Sequence, residues 1–360
     1  MKIFHISNAR NYSGGVAQMI FLSNGLAAKG YDTAVICQPE SELAKRAGVK
    51  KIFLDMNSQI PASFALAKII SQENPDIVHC HHPKAHNIVL LASFFTKIRN
   101  IVASRRVSFP IPKHPAAFFK YRTTRNKCIV AVSEKIKSVL LAAGLKPSNI
   151  RVIYSGTDCS VFNPSVSGRG VREEFKIPGN ALVIGKIANY SKWKGYNYFL
   201  DACRIISIKQ SNIYFFIAGA GTDSAELKEE VNRLGIERFT KIAGFRDDMP
   251  DVIAAMDISV NASISGEGIS GAIRESLAME KPVVATDVGG NSELIKSRIN
   301  GILVEHSDSS ALADAILNLI KNHDDAIRMG RSGRETVLEK FSVDTMVSEH
   351  IKLYEELKNV

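Results

Sequence analysis

Two carboxylates flanking a glycine-rich turn form the segment of this chain best suited to chemistry. Glu267 and Glu275 stand eight positions apart, with Gly268 and Gly271 between them. Glycines let the backbone approach a ligand closely, and Ser270 is placed to cap the helix that carries Glu275. Amides at such a helix start can bind phosphate. Such a spacing also arises by chance, but it suits a site that contacts a sugar with one carboxylate and a ribose with the other.

Two further turns in the same half of the chain carry cations. Lys194 stands beside Gly195 and ahead of a helical stretch, where its charge and the helix amides can neutralise a diphosphate. Lys192 is better explained as a solvated side chain. Phe245 and Arg246 offer an aromatic ring and a guanidinium able to contact a nucleotide base. One bound nucleotide diphosphate would explain these turns together.

The first half of the chain has two candidate turns of its own. Gly14 and Gly15 precede a helical stretch and can bring backbone amides close to phosphate, although an ordinary strand-to-helix turn explains them as well. His79, His81 and His82 fall at or just past the end of an apolar run. No Cys, Asp or Glu cluster nearby completes a metal site. We therefore expect no metal here, and we expect an imidazole that hydrogen-bonds a substrate hydroxyl.

Short apolar, β-branched runs alternate with helical stretches along the whole chain, which predicts parallel sheets covered on both faces. Two doubly wound α/β domains are expected, covering residues 1–165 and 166–341, with a C-terminal helix at 342–360 packing back on the first domain. The predicted strands span residues 3–7, 33–37, 52–55, 77–80, 101–104, 129–133, 152–154, 182–187, 214–218, 241–244, 258–261, 283–286 and 301–304. Ligands in such sheets bind beyond the carboxyl ends of the strands, where the turns described above lie.

The composition indicates a soluble globular protein: of 360 residues, 45% are hydrophobic and 23% charged. The first residues resemble a strand rather than a secretory signal, and the longest apolar run, residues 88–95, is too short to cross a bilayer. Five scattered cysteines without a C-x-x-C pair suit a reducing compartment. These features predict a cytoplasmic location.

Positive charge is concentrated in the first half of the chain. Residues 1–165 contain 22 basic and 8 acidic residues, a net charge of +14. The expected partner is anionic: a membrane surface, a phosphorylated acceptor or nucleic acid. Apolar residues interleave with the basic ones, as in a segment that lies on a membrane, although most of them could instead belong to the core, with the charges on a solvated rim. These residues are Leu90, Leu91, Phe94, Phe95, Phe109, Phe118, Phe119 and Tyr121. The candidate acceptor or membrane contacts are Arg105, Arg106, Lys113, Lys120 and Arg122, of which the first two are expected to contact an acceptor phosphate.

Read in order, these segments resemble the retaining, nucleotide-sugar-dependent glycosyltransferases of family 4, also called group 1. The resemblance runs nearly end to end and is specific because many motifs match in one order. It implies the GT-B fold, in which two Rossmann-like domains face each other across a cleft. The matching segments are the Gly14-Gly15 turn and residues 76–81, 132–134, 153–158, 194–195, 218–221, 244–248, 267–275 and 281–293.

The resemblance also assigns roles, mainly in the C-terminal domain. Glu267 is implied to contact sugar hydroxyls, Glu275 the ribose, and Lys194 the diphosphate, while His81 is implied to lie against the transferred sugar. Transfer would retain the anomeric configuration by front-face attack, with no metal or other cofactor. The amides implied to meet the sugar and phosphate belong to Gly268, Ile269, Ser270 and Gly271.

One position departs from the family pattern. The family usually has an arginine five residues before its lysine, and Asn189 occupies that place here. An uncharged amide leaves diphosphate stabilisation more dependent on Lys194 and on helix amides.

The resemblance also bears on the acceptor, because family members whose first domain is basic and interspersed with apolar residues commonly act on lipid-linked acceptors, including lipopolysaccharide cores and phosphoinositide-type lipids. The function expected is therefore sugar transfer, with a UDP-sugar favoured, to a glycan or lipid-linked acceptor at the cytoplasmic face of an anionic inner membrane. Two alternatives are a sugar-nucleotide 2-epimerase, which shares the fold, and a basic nucleic-acid-binding protein, for which no recognition motif is present.

Overall fold

The computed structural model describes residues 1–112 and 115–359, so the predicted contact Lys113 lies outside the described residues. The chain divides into two compact units: Met1–Gly156 together with Ser342–Val360, and Thr157–Phe341. The division falls at Gly156, ahead of the boundary expected at residue 165. Each unit contains one parallel sheet with helices around it.

The first unit is built on a seven-stranded sheet in the order β3-β2-β1-β4-β5-β6-β7, and every pair of neighbouring strands is parallel. Apolar residues on its two faces pack under the helices, as expected for a buried parallel sheet. The strands are β1 (Lys2–Ser7), β2 (Asp32–Cys37), β3 (Lys50–Phe53), β4 (Ile77–Cys80), β5 (Asn100–Arg105), β6 (Asn126–Ala131) and β7 (Ile150–Val152).

Seven helices surround this sheet in the described part of the unit. The last of them comes from the C-terminal end of the chain, and its Met346, Val347 and Tyr354 are buried in the same cluster as Leu22 and Leu26 of the first helix. The helices are α1 (Gly14–Ala28), α2 (Glu42–Arg46), α3 (Gln59–Glu73), α4 (Pro83–Ala92), α5 (Pro115–Arg122), α6 (Glu134–Ala142) and α15 (Val343–Lys358).

The second unit has a six-stranded parallel sheet in the order β10-β9-β8-β11-β12-β13. Its strands are β8 (Leu182–Ile187), β9 (Ile213–Ala218), β10 (Thr240–Gly244), β11 (Ile258–Asn261), β12 (Val283–Thr286) and β13 (Ile302–Val304). Its helices are α7 (Arg169–Glu174), α8 (Tyr196–Lys209), α9 (Ala225–Arg233), α10 (Met249–Ala255), α11 (Gly271–Ala278), α12 (Asn291–Leu294), α13 (Ser309–Lys321) and α14 (His323–Lys340).

The strand order reverses at one place in each sheet. In the first unit β1 pairs with β4, and in the second β8 pairs with β11. Chains that leave these neighbouring strands run to opposite faces of the sheet and open a crevice at the carboxyl ends, which is where open α/β sheets bind ligands. Gly14 and Gly15 follow β1 and form the start of α1 rather than preceding it, because Ser13 is the N-cap. His79 lies in β4 and His81 and His82 come directly after it, while the turns of Lys194 and Glu267 follow β8 and β11. The fold therefore places these segments at the two reversal points, whereas Arg246 follows the edge strand β10 and the predicted acceptor contacts Arg105, Arg106, Lys120 and Arg122 lie on or after β5 and on α5.

Among the described residues, no helix has the length and apolar character needed to cross a membrane.

Candidate active site

An ion pair joins the two turns at the reversal point of the second unit. Lys194 Nζ lies 2.6 Å from Glu267 Oε1, and Ser263 Oγ donates a second hydrogen bond of 2.6 Å to the same oxygen. Burial acts to raise the pKa of Glu267, but the Lys194 ammonium and these hydrogen bonds outweigh it and hold that pKa below its usual range. Glu267 is therefore a carboxylate at neutral pH, fixed in position beside a cation.

Two glycines determine how closely these turns pack. Gly195 has φ of +61°, and a Cβ added to it would lie 1.9 Å from the carbonyl oxygen of Ala262. Gly289 has φ of +63°, and its added Cβ would lie 2.0 Å from the carbonyl oxygen of Glu267. Any side chain at either position would be strained and would push the Lys194 or the Glu267 backbone away.

Helix α11 starts beside Glu267 with open amides. Ser270 occupies the N-cap position, but no backbone amide donates to its side chain; its Oγ instead accepts a 3.1 Å hydrogen bond from Asn261 Nδ2. The expectation that Ser270 caps this helix through its hydroxyl is therefore wrong, because Asn261 engages that hydroxyl. In the described structure the amides of Gly271, Ala272 and Ile273 have no hydrogen-bond partner. A helix start of this kind attracts an anion.

Glu275 lies one turn into α11 and is half-buried. Burial raises its pKa, and the neighbouring Arg274 guanidinium opposes that rise. A Cβ at Gly271 would be 3.6 Å from Glu275 Oε1, so the carboxylate reaches back to the same first turn that presents the open amides. Glu267 and Glu275 thus flank the start of α11, in the arrangement that their spacing suggested.

Two cations of this unit were missed by the sequence analysis. Lys186 is 1% exposed, and its Nζ donates a 2.8 Å hydrogen bond to the carbonyl oxygen of Lys194. Burial lowers its pKa to about 7. Arg274 is 3% exposed. The sequence feature that could have revealed both is a basic residue within an otherwise apolar element. Lys186 lies in the apolar strand β8, and Arg274 lies on the buried face of α11.

Asn189 and Arg246 contrast in their surroundings. Asn189 is exposed, and no side-chain contact engages it in the described part of the chain. Arg246 donates to both carboxylate oxygens of Asp248, at 2.8 and 2.6 Å, and to Glu174 at 2.6 Å. Phe245 is exposed. Phe245 and Arg246 were the predicted contacts to the nucleotide base. The guanidinium of Arg246 is occupied by carboxylates, whereas the ring of Phe245 is exposed.

In the first unit, His81 is buried and both of its ring nitrogens are engaged. Arg106 Nη2 lies 3.2 Å from His81 Nδ1, and His5 Nδ1 lies 2.9 Å from His81 Nε2. Burial lowers the pKa of His81 well below its usual value, so the ring is neutral. Because arginine can only donate, Nδ1 accepts and the single ring proton sits on Nε2, donating to His5. The ring of His81 has no nitrogen left for a substrate in this arrangement.

His82 is the imidazole that faces Gly15 in the first turn of α1. Its Nδ1 lies 2.7 Å from Ser7 Oγ, and a Cβ at Gly15 would lie 3.3 Å from its Nε2. Burial lowers its pKa to about 4, so it is neutral at physiological pH. Gly15 thus leaves room for this ring beside the start of α1.

Three buried histidines of the first unit lie close together. Ring nitrogens of His5, His79 and His81 all lie within 4.8 Å of one another. His79 bonds the Tyr354 hydroxyl at 2.6 Å and Ser104 Oγ at 2.8 Å, so its two nitrogens serve a hydrogen-bond network. The expectation that no metal is required stays a prediction.

The basic residues expected to contact an acceptor or a membrane fall at three places. Arg105 and Lys120 line one cavity of about 550 Å³ together with apolar residues of α4 and α5. Arg105 donates to the Tyr121 hydroxyl, and Lys120 donates to the Pro83 carbonyl oxygen at 2.6 Å. Arg106 instead contacts His81. Arg122 donates to the carbonyl oxygen of Ala143 and lines a different cavity.

Two doubly wound parallel-sheet units, each with polar turns at its reversal point, form the architecture of the GT-B fold. Family models match both parts of the chain: "Glycosyltransferase Family 4" over residues 12–161 and "Glycosyl transferases group 1" over residues 179–322. The chain belongs to this family of glycosyltransferases, family 4 or group 1.

Similar proteins cover most or nearly all of the chain. The lipopolysaccharide core biosynthesis glycosyltransferase LpsE of Rhizobium meliloti is 24% identical, with 98% of each chain covered. The UDP-Gal:alpha-D-GlcNAc-diphosphoundecaprenol alpha-1,3-galactosyltransferase of Escherichia coli is 24% identical over 83% of this chain and 79% of its own. The crystal structure of Anabaena HepE in complex with UDP-glucose superposes with a TM-score of 0.88 at 21% identity, covering 99% of this chain and all of that one, and it shows the shared fold.

Proposed function

We propose that the protein transfers a hexose-type sugar from a nucleotide diphosphate sugar, with a UDP-sugar favoured, to a surface-glycan or lipid-linked acceptor. The single observation that carries the donor site is the Lys194–Glu267 ion pair of 2.6 Å beside the open start of α11. It provides a cation and amide donors for a diphosphate next to a fixed carboxylate for sugar hydroxyls. HepE, which shares the fold, binds UDP-glucose, and this supports the choice of UDP.

In the proposed reaction the acceptor hydroxyl attacks the anomeric carbon from the face that the diphosphate leaves. The new carbon–oxygen bond forms as the bond between that carbon and the phosphate oxygen breaks. The hydroxyl proton passes to the departing diphosphate. Lys194 and the α11 amides stabilise the charge that develops on the diphosphate, and Glu267 orients the sugar through its hydroxyls. The product retains the anomeric configuration, and no metal takes part.

The acceptor is proposed to carry phosphate and lipid and to meet the first unit. Arg105 and Lys120 share their cavity with Leu90, Leu91, Phe94 and Phe119, which suits a ligand with an anionic and an apolar part. The E. coli relative is named for a diphosphoundecaprenol-linked acceptor, and LpsE for lipopolysaccharide core biosynthesis. The proposed location is therefore the cytoplasmic face of an anionic membrane.

A thermal-shift screen tests the donor. A ligand that binds only the folded protein raises the apparent melting temperature, so UDP-, GDP- and ADP-sugars are compared with the free nucleosides. The expected result is a rise with UDP-sugars. If none of the three classes stabilised the protein, the proposed donor site would be wrong.

Product analysis tests the chemistry. We expect NMR of the purified glycoside to show the donor's anomeric configuration, and we expect turnover to persist in a chelator. An inverted product, or activity abolished by chelation and restored by metal, would contradict the mechanism. A donor sugar epimerised without any acceptor would instead identify a 2-epimerase.

A further inference from the structure

We propose that Arg274 is a phosphate-binding residue of the donor site and supplies its second positive charge from beneath the first turn of α11. This inference rests on the proposed function, since it concerns the same nucleotide diphosphate. It assigns a role to a side chain that the Lys194–Glu267 pair leaves unexplained.

In the described part of the chain, Arg274 is a buried guanidinium with no hydrogen-bond or ion-pair partner. It is 3% exposed, and its Nε and Nη1 atoms are enclosed with no hydrogen-bond acceptor. Among residues 1–112 and 115–359, no carboxylate lies within 4.0 Å of it. An unpaired buried charge destabilises a fold strongly, and native structures rarely leave buried donors unsatisfied. A bound anion would satisfy both the charge and the open donors of this side chain.

The geometry directs this guanidinium to the start of the helix. Long side chains on a helix lean toward its N-terminus, so the side chain of Arg274 covers the preceding turn. A Cβ at Gly271 would lie 3.7 Å from Arg274 Nη2. The amides of Gly271, Ala272 and Ile273 open at the same turn. Backbone and side-chain donors therefore converge around Gly271, where an anion would meet both.

Charge explains why the site needs this arginine. Asn189 in the turn after β8 is uncharged, and the Lys194 ammonium is already paired with Glu267. A nucleotide diphosphate carries more negative charge than one shared lysine neutralises. Burial lowers the pKa of Arg274 to about 10, which still leaves it charged at neutral pH.

The forked guanidinium matches phosphate rather than ribose. Arginine donates two parallel hydrogen bonds to phosphate oxygens, whereas neutral ribose hydroxyls are better bound by a carboxylate such as Glu275. The charges of Glu275 and Arg274 influence each other's pKa, but in the described part of the chain no ion pair within 4.0 Å joins them, so the guanidinium keeps its hydrogen-bond donors for another acceptor. In this proposal Arg274 binds the phosphate of the nucleotide and its neighbour Glu275 binds the ribose.

The test compares UDP with uridine on three variants of the full chain. Arg274→Met removes the charge but keeps the length, Arg274→Lys keeps the charge, and Arg334→Met is the matched control. Arg334 donates to the Ala278 carbonyl oxygen at the opposite end of the same helix. Calorimetry measures the Kd for UDP, and ligand-observed NMR competition measures that for uridine.

We expect Arg274→Met to weaken UDP binding about ten- to a hundredfold, the range for hydrogen bonds to charged groups, and to leave uridine within about twofold. Arg274→Lys should lose less, and Arg334→Met should match the wild type. Melting curves verify that each variant is folded, and removal of an unpaired buried charge should not lower the melting temperature.

If the Arg274→Met protein folds and binds UDP as tightly as the wild type, the inference is overturned and the proposed function stands. Equal losses for UDP and uridine would also overturn it, because they indicate a structural role. A wild-type protein that binds none of UDP, GDP or ADP would overturn the proposed function, and this inference with it.

Discussion

Lys186 Nζ donates a 2.8 Å hydrogen bond to the carbonyl oxygen of Lys194, although Lys186 is 1% exposed. The rings of Tyr196 and Phe199 lie 4.8 and 5.5 Å from the same nitrogen. A buried lysine thus supports the turn that carries the proposed diphosphate contact. The ammonium contacts a carbonyl oxygen and two aromatic faces and forms no direct ion pair in the described structure. Burying a charge in this way destabilises the folded state.

Replacing Lys186 with Met is therefore expected to stabilise the protein in a pH-dependent way. The folded-state pKa of Lys186 is about 7, below the ordinary 10.5. Between these values the unfolded chain binds more protons, so wild-type stability rises with pH across that window. Lys186→Met should gain roughly 2 to 4 kcal/mol at pH 6.5 and lose that advantage toward pH 10.

Urea unfolding of both proteins at several pH values measures the difference. Lys241→Met is a suitable control because Lys241 also lies over a ring, that of Tyr214 at 5.3 Å, but is not buried. It should show little change at any pH. A stability difference for Lys186→Met that is constant from pH 6.5 to 10 would contradict the lowered pKa.

Lys194 and Asn189 are expected to contribute unequally to turnover. Lys194 carries charge beside Glu267, whereas Asn189 is an exposed amide. Removing a group that stabilises developing negative charge typically costs on the order of a hundred- to a thousandfold in kcat. Lys194→Ala should show a loss of that size, and Asn189→Ala should lose less than about tenfold. Steady-state release of the nucleoside diphosphate measures both, and comparable losses would contradict this division of labour.

Much of the fold follows from local sequence pattern. Runs of apolar, β-branched residues identified the strands because parallel strands are buried on both faces. The errors fall where strands carry polar residues. β3 begins at Lys50 rather than at residue 52, since its first two residues are lysines, and β7 begins at Ile150 rather than at residue 152. Reversal points in the strand order then explain why distant turns share a site.

The side-chain partners could not be predicted in the same way. The engagement of His81 by Arg106 and His5, and the burial of Lys186 and Arg274, depend on packing between elements far apart in sequence. Spacing locates a residue on a strand or a turn, but it does not say which nitrogen is already bonded. The roles of Glu267 and Lys194 were easier to anticipate because flanking glycines mark close backbone approach.

Gly289 is expected to be intolerant of any side chain. Its φ is +63°, and an added Cβ would lie 2.0 Å from the Glu267 carbonyl oxygen. Gly289→Ala should cost roughly 2 to 4 kcal/mol, from the left-handed conformation and the displaced backbone, and should reduce turnover by moving Glu267.

Gly179→Ala is the matched control for this change, because a Cβ at Gly179 meets nothing within 4 Å. It should be neutral or stabilise by about 0.4 to 1 kcal/mol. Urea unfolding and initial rates are measured for both variants. Equal behaviour of the two would mean that the turn at Gly289 relaxes without disturbing Glu267.

The apolar rim of the Arg105–Lys120 cavity is expected to bind anionic membranes. Phe94 and Phe119 line this cavity and are exposed. Replacing both with Ser removes apolar surface but no charge, so it should lower sedimentation with phosphatidylglycerol-containing vesicles by roughly tenfold at low salt. Ile208→Ser, at an exposed apolar residue of the second unit, is the control and should not matter. If the wild-type protein failed to sediment with these vesicles, the membrane proposal would be wrong; if the double variant still sedimented fully, the contact would lie elsewhere.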